Sequence, residues 1–371
     1  MNCLLTGGTG ILGSHIIFEW IQKALIEKTV NHLFLVIRSN KKKADERLVA
    51  ILQNETRPEF LNNFSLEECL QKITVIDVDL TTITNEQLCE HDFDTVIHCA
   101  GSTDLSHTNI SKNTVYQQNL LVTKRLLNEL PKKVNRFIYI STAFSFGIQN
   151  KKVNDTIDNF KVSKFRNAYE QSKYESESFV RQYCATNNMN AQILRPSIIC
   201  GRLIDKPYYE TPKFDVFYAW AIFLDKYAKK SKENFRIWID KQSGLNIVPV
   251  DFVSKAILHA FLKPEIKELN IVNPKPILHK NYIGKVLEYF NINSFEYMQN
   301  MPLNLNVFET LYYKSIGIVF EKYVSIPDLQ FKSEAISKLI EQLQLDNTLG
   351  VHENFMNLID FSVEKKFRNS Y

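Results

Sequence analysis

The sequence of 371 residues has few glycines, no long hydrophobic run and little net charge, and each shortage narrows its possible function. No stretch reaches the eighteen consecutive apolar residues that indicate a transmembrane helix. The formal charge of +4 is weak for this length and, with no recognition motif, does not indicate nucleic acid as a partner. The six cysteines form no Cys-x-x-Cys pair and no zinc-ligand spacing, so neither a metal centre nor a disulfide framework is predicted.

The segment that comes nearest to a membrane helix is 307–324, VFETLYYKSIGIVFEKYV. Its charged residues Glu309, Lys314 and Glu321 favour an amphipathic or buried helix, with contact to a membrane surface as the weaker alternative. At the other end of the chain, an apolar run begins at residue 2 and continues directly into a glycine-rich loop, which is not the pattern of a signal peptide. We therefore expect a cytoplasmic protein.

Short apolar runs alternate with helix-like stretches through much of the chain. This alternation predicts parallel strands joined by right-handed helical crossovers, in a doubly wound α/β fold of the Rossmann type. The predicted strands are NCLLT, HLFLVIR, ITVIDVDL, TVIHCA, RFIYIST, NAQILRPSII, LNIVPVDF and ELNIVNP. The predicted helices include Ile16 to Ile26, Thr114 to Leu130 and Asn167 to Thr186.

The chain is expected to divide into two parts. A cofactor-binding Rossmann domain would cover residues 1–201, and residues 245–275 would return to it. A smaller, mostly helical substrate-binding lobe would consist of residues 202–244 and 276–371.

Four of the eleven glycines lie in one stretch of eight residues, TGGTGILG at 6–13. The stretch follows a predicted strand and precedes a predicted helix, where backbone amides can bind the pyrophosphate of a dinucleotide. Gly7 would allow the tight turn, Gly10 the close approach of the phosphates, and Gly13 the packing of helix on strand. A glycine-rich turn without a ligand is the alternative. The predicted phosphate-binding residues are Thr6, Gly7, Thr9, Gly10, Ile11, Leu12 and Gly13.

The end of the second predicted strand distinguishes NADP from NAD. NAD sites usually carry an acidic residue there for the ribose hydroxyls, whereas this chain has Arg38 and no acidic residue before Asp45. A guanidinium group can form two hydrogen bonds with a 2′-phosphate, and Arg47 or one of Lys41 to Lys43 would add charge. The pattern favours NADPH as the cofactor, with a solvated basic loop as the alternative.

Other candidate cofactor contacts follow later strands. Asp79 and Leu80 come after the third strand, where the Asp79 carboxylate would accept from the adenine amino group. Ala100 and Gly101 end the fourth strand on the ribose and nicotinamide side. Asn119, in the next helix, would either anchor a water molecule bound by Lys173, discussed below, or bend its own helix.

The motif YEQSK places Tyr169 and Lys173 four residues apart, on one face of a predicted helix. A phenol is a poor acid–base catalyst at neutral pH, but a neighbouring ammonium group and an oxidised nicotinamide favour the phenolate. Tyr169 can then exchange a proton with a substrate oxygen while a hydride moves to or from the nicotinamide. Thr142, at the end of the fifth strand, would hold that oxygen.

In their order along the chain, TGGTGILG, the IST of the fifth strand, YEQSK, LRPSIICG and IVPVDFV resemble the motifs of extended short-chain dehydrogenases/reductases. The resemblance covers residues 1–275. It implies that Thr142, Tyr169 and Lys173 are the catalytic set, and that Arg195, Pro196 and Ser197 pass the nicotinamide. Within that family the chain is most similar to the branch of fatty acyl-CoA reductases and carrier-protein thioester reductases. It departs from the family pattern at Cys99, where asparagine is commoner, and at SFG, where many relatives have a tyrosine before glycine.

The resemblance implies an NADPH-dependent oxidoreductase that reduces an acyl thioester to an aldehyde and, with a second hydride, to an alcohol. The thioester would be carried by coenzyme A or by an acyl or peptidyl carrier protein supplied in trans. The alternative is an extended dehydrogenase or epimerase that acts on a nucleotide sugar or a sterol-like alcohol. A cofactor-binding regulator without catalysis is a third interpretation, and the complete catalytic set argues against it.

The aromatic stretch 214–227, FDVFYAWAIFLDKY, bears on the substrate. At helical spacing it would present one apolar stripe, formed by Phe214, Phe217, Trp220, Ala221 and Leu224. The stripe either packs on the core or walls a channel for an acyl chain beside Tyr169. At its end, a phosphorylated pantetheine arm or an acidic carrier could dock on Lys226, Lys229 and Lys230.

Overall fold

The computed structural model describes residues 1–149, 152–156, 162 and 164–369, and its centre is a seven-stranded parallel sheet. The strands of this sheet are β1 (Cys3–Thr6), β2 (Leu33–Ile37), β3 (Ile73–Asp77), β4 (Thr95–His98), β5 (Arg136–Ile140), β6 (Asn190–Pro196) and β11 (Glu268–Ile271). They lie in the order β11-β6-β5-β4-β1-β2-β3. The predicted doubly wound α/β fold is confirmed.

Six shorter strands form three pairs outside this sheet. They are β7 (Ile198–Cys200) with β10 (Ile247–Pro249), β9 (Gly244–Leu245) with β12 (Ile277–Leu278), and β8 (Phe235–Trp238) with β13 (Phe295–Met298). The first and third pairs are parallel and the second is antiparallel.

Fourteen α-helices are present in the described residues. Those before residue 201 are α1 (Ile11–Gln22), α2 (Ala44–Leu52), α3 (Leu66–Leu70), α4 (Asn85–Cys89), α5 (Asn109–Val115), α6 (Val122–Glu129) and α7 (Ala168–Thr186). The later ones are α8 (Tyr218–Tyr227), α9 (Val250–Leu262), α10 (His279–Tyr289), α11 (Val307–Tyr313), α12 (Gly317–Val324), α13 (Glu334–Gln342) and α14 (Val351–Glu364). Two π-helical turns, Lys23–Glu27 and Tyr116–Leu121, and three 3₁₀ turns, Glu59–Asn63, Ala143–Phe146 and Ala228–Lys230, complete the helical elements.

Both faces of the central sheet are buried, which explains why its strands are almost continuously apolar. Successive side chains of a strand point to opposite faces. Leu5 and Leu35 belong to the large core cluster on one face, whereas Leu4 and Phe34 belong to a second cluster on the other.

The order of the strands reverses at β1, which has β2 on one side and β4 on the other. Thr6, the last residue of β1, pairs with Val36 of β2 and with His98 of β4. In doubly wound sheets the ligand binds outside the carboxyl ends of the strands at this point of reversal. The fold therefore places the glycine-rich loop, the end of β2 and the end of β4 around one crevice.

Some predicted elements differ from the structure. The predicted strand LNIVPVDF is divided: Leu245 ends β9, Ile247–Pro249 form β10, and Val250 begins α9 with Pro249 at its N-cap. The predicted strand NAQILRPSII is interrupted at Ser197, whose N–H donates to Ile271 O and whose hydroxyl donates to Asn246 O. The helical stripe is shorter than predicted, since α8 begins at Tyr218 and Phe214 precedes it.

The C-terminal residues are mostly helical, and their apolar side chains join the core cluster that also packs against one face of the sheet. The segment 307–324 forms two short helices that bury Phe308 and Tyr312 and expose Val307 and Ile318. Among the described residues, none of the helices combines the length and the apolar composition that crossing a bilayer would require.

The buried imidazole of His98 predicts a pH dependence of stability. Its Nδ1 lies 2.7 Å from Thr6 Oγ1 and its Nε2 lies 3.0 Å from Thr123 Oγ1, and burial, with a smaller effect of Lys173, lowers its pKa to about 3. Between this value and the ordinary value of 6.5, the unfolded chain binds more protons than the folded chain. The free energy of unfolding should therefore fall as the pH drops from 6.5 towards 3.

We expect His98→Asn to make this pH dependence shallower, by up to about 1.4 kcal/mol per pH unit, because asparagine does not titrate. Urea denaturation from pH 5 to pH 7 measures the slope. His352→Gln, which replaces an exposed histidine, is the matched control and should retain the wild-type slope. An unchanged slope in the His98 variant would show that the buried imidazole does not titrate as described.

Candidate active site

The glycine-rich loop between β1 and α1 has no room for side chains at its two ends. Gly7 has φ of +77°, and a Cβ there would lie 2.6 Å from Ala100 N. A Cβ on Gly13 would collide with Gly7 O, so α1 can pack against the loop only with glycine at this position. The loop backbone is thereby held against the end of β4, as the sequence predicts for a nucleotide-binding turn.

The N-terminus of α1 is open to an anion. Gly10 occupies the N-cap position, and within the described residues no side chain caps this end and no acidic residue lies in its first turn. The first backbone N–H groups of a helix lack intrahelical acceptors and carry a partial positive charge. Together with the glycine cradle, these groups fit the pyrophosphate of a dinucleotide.

Two arginines and one aspartate meet beside this loop. Arg38 Nη1 donates to Asp79 Oδ2 at 2.7 Å. This contact, together with hydrogen bonds from Thr81, lowers the pKa of Asp79 to about 2. Arg47 donates through Nη1 to Arg38 O at 2.7 Å and through Nη2 to Thr9 Oγ1 at 3.0 Å. The structure thus joins the ends of β2 and β3 to the glycine loop, and Leu80 packs alongside against the second core cluster.

The three predicted catalytic residues lie together at the carboxyl end of β5. Tyr169 and Lys173 share one face of α7, and the Thr142 side chain lies beside the Tyr169 hydroxyl, where it acts to lower the pKa of that hydroxyl. Lys173 Nζ donates to Ile140 O at 2.7 Å and lies 4.7 Å from the centre of the Tyr139 ring. The lysine is therefore held at the end of β5 by a carbonyl and an aromatic face.

Burial governs the protonation of this pair. It raises the pKa of Tyr169, although Lys173 and the Thr142 hydrogen bond act in the opposite direction. It also lowers the pKa of Lys173, against the influence of Tyr169 and Cys99. A phenol with a raised pKa is protonated at neutral pH, which is the form that a proton donor requires.

Cys99, which lies next to Lys173, is a poor nucleophile here. Burial raises the pKa of its thiol to about 11, although Lys173 acts to lower it. Since the thiolate is the reactive form, a thiol protonated at neutral pH is inert. All six cysteines lie within the described residues and are free thiols.

Asn119 lies in the π-helical turn between α5 and α6. Its Nδ2 donates to Ser102 O at 3.1 Å and to Ser172 Oγ at 2.9 Å, while its Oδ1 accepts from Ser102 N at 2.7 Å. A Cβ on Gly101 would lie 2.8 Å from Asn119 Oδ1 and 3.6 Å from Lys173 Nζ. The amide therefore joins the loop after β4 to Ser172, the residue beside Lys173.

The side chain of Arg195 is completely buried, and its Nε and Nη2 donate to Glu177 while Nη1 donates to Asp155 O at 2.8 Å. The guanidinium group is therefore part of a cluster inside the protein, and a contact of Arg195 with the nicotinamide stays a prediction. Pro196 and Ser197 remain candidates for the backbone that passes the cofactor, at the end of β6.

The sequence did not predict a contact between α12, in the C-terminal part, and the first turn of α7. Tyr323 of α12 donates to Glu170 Oε1 at 2.9 Å and accepts from Asn167 Nδ2 at 2.7 Å, next to Tyr169. Arg166, which is buried, donates to Lys322 O at 3.1 Å and to Gly147 O at 3.0 Å. The N-cap pattern of Asn167 and Glu170 could be read from sequence, but their partner on α12 is 153 residues beyond Glu170.

An apolar cavity lies beside α12. Phe320 and Val324 of α12 line it together with Phe217 and Trp220, and its further lining residues are Ile237, Leu245, Tyr282, Ile283, Val286, Tyr312, Phe355 and Ile359. The cavity has a volume of about 10 Å³, which is space for one water-sized molecule. An acyl chain could enter only if these side chains moved apart.

The fold and this site define a dinucleotide-dependent α/β enzyme with a tyrosine–lysine pair. A model of the male sterility protein family, an NAD-binding family, matches residues 5–257, more than half of the chain. The chain belongs to this family, and its predicted place among extended short-chain dehydrogenases/reductases, in the branch of fatty acyl-CoA and carrier-protein thioester reductases, is confirmed. Its cofactor is accordingly a nicotinamide dinucleotide.

Solved structures of several enzymes share the fold. A thiolation-reductase di-domain from an archaeal non-ribosomal peptide synthetase is 18% identical with a TM-score of 0.70, over 99% of this chain and 76% of that one. The terminal R domain of the myxalamid PKS-NRPS pathway is 18% identical with a TM-score of 0.69, over 100% of this chain and 92% of that one. UDP-glucuronic acid 4-epimerase from Bacillus cereus is 18% identical with a TM-score of 0.62, over 98% of this chain and 100% of that one. At these identities the similarity shows the fold alone.

Proposed function

We propose that the protein is a cytoplasmic, NADPH-dependent reductase of an acyl thioester carried by coenzyme A or by a carrier protein in trans. The observation that carries the proposal is the grouping of Thr142, Tyr169 and Lys173 at the crevice whose far end holds Arg38 and Arg47. Similarity to reductase domains that act with thiolation domains agrees with a thioester substrate. In this proposal residues 1–201 and 245–275 bind the cofactor, and residues 202–244 and 276–371 bind the substrate.

The residues at the crevice fit NADPH as the cofactor. The amides of the glycine loop and of the α1 N-terminus would bind the pyrophosphate, because the first N–H groups of α1 lack intrahelical acceptors and no side chain caps this end. Arg38 and Arg47 would bind the 2′-phosphate with charged hydrogen bonds. Asp79, now paired with Arg38, would accept from the adenine amino group, and Lys173 would contact the ribose of the nicotinamide.

NADPH, when bound, supplies the hydride that adds to the thioester carbonyl carbon. Tyr169 donates its proton to the carbonyl oxygen, and Thr142 donates a hydrogen bond to the same oxygen as negative charge develops on it. Lys173 stabilises the phenolate that Tyr169 becomes. The resulting hemithioacetal loses its hydroxyl proton, its C–S bond breaks, and the products are an aldehyde and a thiol. A second round on the aldehyde would give the alcohol.

The alternative is an extended dehydrogenase or epimerase for a nucleotide sugar or a sterol-like alcohol. The similarity in fold to the Bacillus cereus epimerase favours it. The aromatic lining of the cavity argues against a sugar nucleotide, because such a ligand offers hydroxyl groups and phosphates rather than apolar surface.

The first test of the proposal concerns the cofactor. Arg38→Ala should weaken NADPH binding by about 10- to 100-fold, since a hydrogen bond to a charged group contributes about 1.5–3 kcal/mol, and should change NADH binding little. Titration calorimetry with both cofactors measures this selectivity. Lys285→Ala, which removes an exposed charge from α10, is the control. Equal losses for the two cofactors, or a wild type that prefers NADH, would contradict the assignment.

The second test concerns the reaction. Wild type should oxidise NADPH with acyl-CoA or carrier-bound acyl substrates and leave nucleotide sugars unchanged. Tyr169→Phe should lower kcat by about 10²- to 10⁴-fold, because the proton donor is lost while the ring remains. Tyr183→Phe removes a hydroxyl from the far end of the same helix, where it donates to Leu127 O, and should retain the wild-type kcat. If Tyr169→Phe kept most of its activity, another group would be the proton donor.

The third test concerns the acyl chain. If the acyl chain of the substrate enters the apolar cavity, each added methylene should contribute about 0.8 kcal/mol of binding free energy. The kcat/KM should then rise roughly fourfold per methylene until the cavity is filled. Trp220→Ala enlarges the cavity and should shift the optimum to longer chains. Trp238→Ala, in the same part of the chain but outside the cavity lining, is the control. A kcat/KM independent of chain length would show that the cavity does not bind the substrate.

A further inference from the structure

Glu177 lies on α7 one turn beyond Lys173 and two turns beyond Tyr169, with only 1% of its surface exposed. Residues spaced by four lie on the same face of a helix, so this carboxylate points in the direction of the catalytic pair. Glu177 takes no part in the proton transfer proposed above. A buried charge is costly unless its partners compensate for the lost water, and those partners indicate its use.

One carboxylate oxygen of Glu177 holds both ends of the segment that carries Thr142. Its Oε1 accepts from Ser141 Oγ at 2.5 Å and from Ser145 Oγ at 2.7 Å. Ser141 directly precedes Thr142, and Ser145 N donates to Thr142 O at 3.0 Å. Hydrogen bonds to an ionised acceptor are shorter and roughly twice as strong as neutral ones, so this segment is firmly attached to α7.

The other side of the carboxylate is fixed by arginine. Arg195 Nε lies 3.0 Å from Oε1 and 3.1 Å from Oε2, and Arg195 Nη2 lies 2.8 Å from Oε2. Glu268 accepts from the same Nη2 at 2.7 Å and also pairs with Arg181. Burial would raise the pKa of Glu177, but Arg195 and the two serines outweigh it and keep the pKa below its usual range. The carboxylate is therefore ionised whenever the chain is folded near neutral pH.

We propose that Glu177 is a positioning residue for the reaction. It fixes the backbone from Ser141 to Ser145 against α7, so that the Thr142 hydroxyl stays within hydrogen-bonding reach of Tyr169. Arg195 keeps the carboxylate charged and oriented, and its guanidinium group also lies 4.8 Å from the centre of the Phe146 ring at the end of the same turn. The inference rests on the proposed function in one respect, the action of Thr142 and Tyr169 on the substrate oxygen.

The double variant Ser141→Ala/Ser145→Ala tests this role while it leaves the Glu177–Arg195 pair in place. We expect kcat to fall by about 10- to 100-fold, because small displacements of a catalytic group are costly, while the Kd for NADPH stays within twofold of wild type. Ser254→Ala/Ser362→Ala is the matched control, since both hydroxyls are buried and donate to their own helices. Each single variant is measured too, at a temperature well below its Tm, in case the double variant does not fold.

A double-mutant cycle with Thr142→Ala separates positioning from general stability. If the serines act through Thr142, replacing them in the Thr142→Ala background should change kcat less than twofold. The same loss of kcat in both backgrounds would overturn the proposal, and so would a wild-type kcat in the serine variants.

The cycle can use any carbonyl substrate that the wild type reduces, thioester or aldehyde. A wild type that reduces neither substrate would refute the proposed function. The positioning role would then be tested by comparing crystal structures of the wild type and the double variant. A shift of Thr142 Oγ away from Tyr169 by more than about 1 Å would support the positioning. An unmoved Thr142 would overturn it.

Discussion

The buried ion pair between Glu177 and Arg195 joins the helix that carries Tyr169 and Lys173 to a central strand of the sheet. Both side chains are almost completely excluded from water. Removing one partner of such a pair leaves an uncompensated charge inside the protein and costs about 3–5 kcal/mol. The helix therefore cannot shift along β6 without breaking a contact of that size, and every distance in the catalytic group depends on this register. Lys173, which donates to Ile140 O, fixes the same helix to β5 one turn earlier.

The parts of the fold that could be predicted from the sequence are those determined by neighbours along the chain. Apolar runs bounded by turns predicted the seven strands of the sheet, because a strand buried on both faces is mostly apolar. The glycine loop was predictable because a side chain on Gly13 would collide with the backbone of Gly7 and Gly8, which lie in the same short stretch of sequence. Tyr169 and Lys173 were predictable because a helix brings residues four apart onto one face.

What could not be predicted depends on partners distant in sequence. The motif containing Arg195 suggested a cofactor contact, but the partners of its side chain, Glu177 and Glu268, are 18 and 73 residues away. The contact of Tyr323 with Glu170 joins residues 153 apart, and no local pattern at either position indicates the other. The strand LNIVPVDF was predicted too long because valine and phenylalanine favour strands, whereas the helix from Val250 is stabilised by burial of Phe252 and Val253.

The short helix α12 joins the C-terminal part to the catalytic helix. Phe320 and Val324 line the apolar cavity, and Tyr323 of the same helix donates to Glu170, the residue after Tyr169. Glu170 is completely buried, and burial raises its pKa although Arg166 acts to lower it. Its hydrogen bond from Tyr323 compensates part of the lost hydration. The first turn of α7, which carries Tyr169, is therefore held by hydrogen bonds to the same short helix that lines the apolar cavity.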